Sequence, residues 1–224
     1  EIWGEGATCH GFGQALPMSR SHALQPLLMT RATFDQQSRH HPNERIYTIT
    51  RGGPPGLQRY AQTWSGDNST SWHTMRWNQR MALTMSLSGL FNTGHDIGGF
   101  DGPVPDAEML IRWTQACCLV PRMIMNSWKA DGSVNTPWLY PEATAPIRAS
   151  VGLRLKLMPY IYTQMWRAAS EHLPVLRPTL FDFGDDRETW QDNGEMMVGP
   201  DLLVAPVFEP GARTAWHTHP LGQT

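Results

Sequence analysis

Apolar and polar positions alternate along the chain in stretches of helical and strand period. Between Ser21 and Gln37, Leu24, Leu27, Leu28, Thr30, Arg31 and Phe34 fall on alternating apolar and polar faces, which predicts a helix. Glu1 to Gly13, rich in Gly, reads as an irregular loop. After the polar break "QQSRHHPNER", the run "RIYTITR", Arg45 to Arg51, has the β-branched and aromatic content of a short strand, and "RGGPPG" ends it. A second strand is expected over Tyr60 to Trp64. "GDNSTS" then offers several N-caps for a helix from about Ser71 to Leu87.

"LSGLFNTGHDIGGF" reads as a strand leaving into a Gly-rich loop, and "PVPDAEMLIRWTQACCL" as a helix with Pro and acidic residues in its first turn. Leu110, Trp113 and Cys117 share one face of that helix. "RMIMNSW" is another strand. The longest helical pattern runs from about Pro146 to His172, through Ile147, Val151, Arg154, Leu155, Met158, Ile161, Tyr162 and Met165, with a kink expected at Pro159. Beyond it, "PVLRPTLFDF", "EMMVG" and "DLLVAPVFEPG" are short β-rich runs. Strands alternating with helices predict an α/β fold with a parallel sheet. The β-rich tail predicts the start of a second domain, with the boundary between 173 and 174.

Composition narrows the function. Among 224 residues the formal net charge is −2, which gives no electrostatic case for nucleic acid. No apolar run approaches the length of a membrane span, so no membrane partner is expected. "EIWGEG" has no basic or apolar leader and no initiating Met, so an internal segment of a longer protein is expected. Cys9, Cys117 and Cys118 are an odd set with an adjacent pair, which favours buried thiols in a reduced, cytoplasmic setting. Ten Trp residues are an excess that serves either core filling or flat platforms for ring-shaped ligands. His40-His41 and His217 to His219 lack a clear third ligand, so no metal is expected; Met123 and Met125 read as core filler.

In an α/β barrel, chemistry collects at the C-terminal ends of strands. The strand ends read here carry Arg51, then Trp64 and Asp67, then Asp96, then Asn126. A guanidinium, two carboxylates, an amide and an indole suit a polyhydroxylated ligand: charged groups hydrogen-bond the hydroxyls, and an indole packs on a sugar face. Taken alone, Asp67 in "QTWSGDNSTSW" is more simply a helix cap. Asn68 and Ser69 can cap in its place.

The series "ITRGG", "QRYAQTWSGDNSTSW", "MSLSGLFNTGHDIGGF", "EMLIRW" and "LVPRMIMNSW", continued by "LRLKLMPYIYT", "LRPTLFDF" and "VGPDLLVAPVFEPGA", resembles glycoside hydrolase family 31 in content and order over essentially the whole chain. The resemblance implies a partial TIM (β/α)8 barrel over residues 1–173, followed from 174–224 by the start of a β-sandwich domain. It implies hydrolysis of α-linked sugars by a retaining, two-carboxylate mechanism with no cofactor, on an oligosaccharide or α-glycoside substrate. An α-glucosidase, α-galactosidase, α-xylosidase, α-transglycosylase and a non-catalytic carbohydrate-binding homologue all remain open; the oligomeric state does too. In this pattern Asp67 takes the place of the general acid/base, and Arg51, Trp64, Asp96 and Asn126 the place of substrate-binding groups. The matching nucleophile is expected upstream of Glu1, so the segment by itself is expected to be inactive. Asn126 stands where many members carry His, and Ile124 where many carry Arg.

Overall fold

The computed structural model describes residues 6–10 and 13–214. By its contacts the chain forms two compact units, Glu1–Thr63 and Trp64–Thr224.

In the first unit, β1 (Thr8–Cys9) pairs antiparallel with β2 (Leu16–Pro17), inside and beside the stretch expected to be a loop. The expected helix over Ser21–Gln37 is divided. A single turn, α1 (Met18–Ser21), and a 3-10 turn (His22–Leu24) precede α2 (Gln25–His40). Pro26 lies in the first turn of α2, where its missing N–H leaves no bond unmade. Parallel strands β3 (Ile49–Thr50) and β4 (Gln62–Thr63) are the paired parts of the two runs read as strands. Both are shorter than their β-rich sequences, because pairing needs a neighbour for every residue. Phe34 of α2 meets Tyr60 edge to face, with ring centroids 5.7 Å apart.

The second unit begins with helix α3 (Trp72–Leu87). Its N-cap is Ser71, whose hydroxyl accepts from the Thr74 amide at 3.0 Å. Neither Asn68 nor Ser69 takes that place; Asn68 is turned to another task described below. Strand β5 (Gly94–Asp96) and helix α4 (Ala107–Cys117) follow. Asp106 caps α4 by accepting from the Met109 amide at 2.8 Å. Strand β6 (Arg122–Ile124) runs parallel to β5, with Gly94 opposite Arg122 and Asp96 opposite Ile124. A Cβ on Gly94 would fall 2.0 Å from the Arg122 carbonyl oxygen, so glycine is what lets the strands approach.

Helix α5 (Pro141–Glu171) starts a turn earlier than expected and runs through both Pro146 and Pro159. Pro141 supplies the favoured first position, and His172 at φ 60 ends the helix in the left-handed region. Ile147 and Ile161 of the expected apolar series are buried, whereas Leu155, Met158 and Tyr162 are exposed. Arg154, read as part of that face, reaches instead to the end of α4. Its guanidinium donates to the carbonyls of Cys118, Val120 and Pro121, which have no partner further along the helix.

The tail begins with β7 (Leu176–Arg177) and a single-turn helix, α6 (Thr179–Asp182), inside the run "PVLRPTLFDF" that was read as β-rich. Strands β8 (Met196–Val198) and β9 (Leu202–Val204) complete an antiparallel sheet ordered β7-β8-β9.

Two apolar clusters fill the second unit. One joins Leu110, Trp113 and Cys117 of α4 to Met75, Ile97 and Ile147. The other joins Ala82, Leu119, Val120, Ile161 and Ala168 to Leu176, Met196 and Val198 of the tail sheet. Among the described residues, no helix is long and apolar enough to cross a membrane. Replacing Ser71 by Ala is expected to cost about 1 kcal/mol, read as a lower urea midpoint at unchanged slope. Ser69→Ala is expected to stay within about 0.5 kcal/mol of the parent.

Candidate active site

The second unit brings four of the five expected site residues, Trp64, Asp67, Asp96 and Asn126, to neighbouring chain segments. Arg51 belongs to the first unit, where it is exposed just beyond β3.

Asp96 is the centre of the arrangement. It has no solvent exposure, and its carboxylate is shared: Oδ1 accepts from Arg122 Nη1 at 3.0 Å and Oδ2 from Asn126 Nδ2 at 3.2 Å. Its backbone carbonyl accepts from Asn68 Nδ2 at 3.1 Å. Arg122 is itself buried and lies over the Trp64 indole, 5.2 Å from the ring centroid. The Trp64 Nε1 and Ser65 Oγ atoms are buried with no hydrogen-bond partner among the described residues. Burial pushes the Asp96 carboxyl above the usual carboxylate range. Arg122 and Asn126 pull it back, and the negative charge of Asp67 adds to the rise.

Asp67 is exposed and stands in the turn after Gly66, whose φ of 82 is in the glycine-favoured region. Capping by Ser71 removes the simple explanation of Asp67 as the helix cap. The turn is fastened at both ends, by Asn68 and by Thr70. Asn68 accepts the Phe100 amide on both its carbonyl (2.7 Å) and its side-chain oxygen (2.9 Å). The Thr70 hydroxyl lies 2.8 Å from the Gly98 carbonyl and 3.0 Å from that of Asp101. Lys129 and Asn135, from the segment after β6, also reach this Gly-rich loop.

Alternation along β5 sends the residue before Asp96 to the other side of the strand. His95 is buried against a cavity of about 10 Å³ that Gln79, Trp113 and Met196 also line. Burial, and secondarily the charge of Arg122, push its pKa down to about 3. The imidazole is therefore neutral at physiological pH. Cys117, on the same cavity, is held up to about 12 by burial, so it is a thiol and not a nucleophile. Among the described residues, no group of three or more His, Cys, Asp or Glu is placed to hold a metal ion. His217 to His219 lie outside the described residues.

The family model for the glycosyl hydrolases family 31 TIM-barrel domain matches residues 6–164, and that for the family's C-terminal domain matches residues 172–222. The chain belongs to glycoside hydrolase family 31. It is part of a TIM barrel followed by the start of the family's C-terminal domain. Neutral alpha-glucosidase C from Homo sapiens is 38% identical over 76% of the chain. A dextranase of the family from Flavobacterium johnsoniae, solved in complex with glucose, superposes with a TM-score of 0.80 at 33% identity over 86% of the chain. A cycloalternan-degrading enzyme from Trueperella pyogenes, solved in complex with a covalent intermediate, superposes with a TM-score of 0.85 at 27% identity over 94% of the chain. The family 31 chain spans 19%, 25% and 30% of the lengths of these three relatives.

Sequence reasoning did not count Arg122 or Lys129 among the site residues. Arg122 opens its strand, whereas barrel chemistry collects on residues that close one. Only the parallel register and the length of the arginine stem carry its guanidinium to Asp96. A lysine in the polar run "NSWKADG" carried no signal beyond its charge.

The state of His95 has a measurable consequence. Between pH 6.5 and about 3 the unfolded chain takes up a proton that the folded imidazole refuses, so stability falls as pH is lowered through that window. His95→Gln removes this contribution. The loss of urea midpoint between pH 7 and pH 4.5 is expected to be smaller in the variant than in the parent.

Proposed function

We propose that this chain is part of the catalytic barrel of a retaining α-glycoside hydrolase, with Asp67 as its general acid/base. The observation that carries the reading is the placement of Asp67. It stands exposed on a turn fastened through Asn68 to Asp96, where the cap position is already filled by Ser71. The Trueperella pyogenes relative's complex with a covalent intermediate supports the retaining course, since a double displacement passes through one. The human relative is named an α-glucosidase and the dextranase was solved with glucose, which makes an α-glucoside the first substrate to test.

In this reading Asp67 gives its proton to the glycosidic oxygen as the bond to the anomeric carbon breaks. A second carboxylate attacks that carbon from the opposite face. Asp67, now a carboxylate, takes a proton from water as the water displaces the enzyme from the sugar. The two carboxyl groups stand about 5–5.5 Å apart in enzymes of this kind. Asn126 supplies hydrogen bonds to sugar hydroxyls, and the family resemblance gives Arg51 a substrate-binding part of its own. Trp64 forms a wall of the pocket, with its buried Nε1 as a donor. Asp96 holds Arg122 and Asn126 in place through one hydrogen bond on each oxygen, and the second lone pair of each oxygen leaves it an acceptor for a sugar hydroxyl. Asn126 can donate and accept but cannot become cationic. The same proposal sets the end of the barrel part near 173 and the β-rich domain from 174, supported by the spans that the two family models match.

The test uses the full-length protein. Asp67→Ala is expected to lower turnover of an α-linked glucose disaccharide about 100-fold or more. An activated aryl α-glucoside, whose leaving group needs no proton, keeps its first step, and added azide speeds release of the glycosyl-enzyme. Normal hydrolysis of the disaccharide by the variant would overturn the assignment.

A further inference from the structure

Lys129 has no part in the chemistry described above, yet it is 3% exposed and fully engaged. Its ammonium donates to the Thr70 hydroxyl, to the Gly99 carbonyl at 3.0 Å and to the Asp101 carbonyl at 3.2 Å. An ammonium has three donors, and here each finds an oxygen. None of the three is a carboxylate oxygen, so the group sits among neutral dipoles much as a bound cation would.

The three acceptors lie on two different loops. Thr70 ends the turn that carries Asp67, and Gly99 and Asp101 lie in the loop after β5. Lys129 comes from a third, the segment after β6. One side chain therefore ties together three successive strand-end loops. The approach is close enough that a Cβ on Gly99 would fall 2.4 Å from Thr70 Oγ1, and Gly99 has a φ of 82. Asn135 closes the same loop from the other side, donating to Gly99 and Ile97 carbonyls at 2.8 and 3.1 Å. Filling this position for packing alone would require no charge. Burying an ammonium is costly unless every donor is met, and the arrangement meets them all.

We propose that Lys129 is a positioning residue for the general acid/base: by joining Thr70 to the 99–101 segment, it fixes the 66–70 turn and with it the Asp67 carboxyl, without touching substrate. The functional half of this proposal rests on the reading of Asp67 given above. Asn68 anchors the near side of the turn to Asp96 and Phe100. On the far side the Thr70 hydroxyl and amide reach the 98–101 segment directly and Lys129 clamps both together, so its removal loosens the turn while leaving the barrel strands paired.

The experiment is made on the full-length protein with Lys129→Met, which keeps the aliphatic stem and removes the donors. Two quantities are read. The first is kcat/KM for an α-linked glucose disaccharide divided by kcat/KM for dinitrophenyl α-glucoside. Loss of folded protein lowers both alike and cancels in this ratio, whereas a displaced acid lowers only the disaccharide. The ratio is expected to fall about 10-fold or more; a ratio within about 3-fold of the parent overturns the proposal. The second is amide hydrogen exchange across residues 66–72 and 99–102. It is expected to speed up about 10-fold in the variant, with α4 unchanged. This readout does not depend on activity. A parent protein that hydrolyses no α-glycoside sinks the acid/base reading, while unchanged exchange sinks the loop staple. Lys129→Gln replaces Lys129→Met if the latter does not accumulate, with the same two criteria.

Discussion

A carboxylate with no solvent exposure must be answered by partners, and the way Asp96 is answered organises the site. Arg122 and Asn126 each take one of its oxygens, and Asn68 takes its carbonyl. These three partners lie at the start of β6, just beyond β6, and in the turn before α3. Removing one member of a buried, hydrogen-bonded ion pair costs roughly 3–5 kcal/mol, because the other charge is left stranded. The pair is therefore a constraint on register more than a source of net stability. It holds only if β5 and β6 stay in the alignment that puts Asp96 opposite Ile124, and Gly94 is the residue that permits the approach.

The same strand separates two environments. Asp96 faces groups that carry or share charge, and His95 faces Trp113, Gln79 and a small cavity. Burial acts on both but with opposite results. It raises the carboxyl and lowers the imidazole, each toward its neutral form. For His95 nothing opposes that tendency, and the charge of Arg122 reinforces it. For Asp96 the guanidinium and amide oppose it. A two-residue stretch of strand thus gives one side of the sheet a carboxyl group among donors and the other a neutral ring, with the alternation of the backbone as the cause.

Much of this was legible before any coordinates. The helix beginning at Ser71, the capped helix with Leu110, Trp113 and Cys117 on its buried face, and the order of strands and helices followed from local pattern. The series of motifs identified the family. What local pattern did not give has a common physical character: it depends on partners distant in sequence. "RIYTITR" has the residues of a full strand, but only Ile49 and Thr50 are paired, since a ladder is as long as its neighbour allows. Asn68 has the chemistry of a cap, yet it binds Asp96 and Phe100, across 28 and 32 residues. Arg122 begins β6 and acts at the end of β5, the strand before it. Lys129 sits in a polar loop and is among the most buried charges described. In each case the residue type was visible and its partner was not.

The account stands on Asp67 being held where a glycosidic oxygen is protonated. The most direct measurement is a crystal structure of the full-length protein, with Asp67→Asn to prevent turnover, bound to an α-linked glucose disaccharide. The side chain at position 67 should lie within hydrogen-bond distance of the glycosidic oxygen, roughly 3.2 Å or less, with the Asp96–Arg122 pair intact beside the same sugar. A sugar seated productively with that oxygen facing another acid, and position 67 turned away, would contradict it.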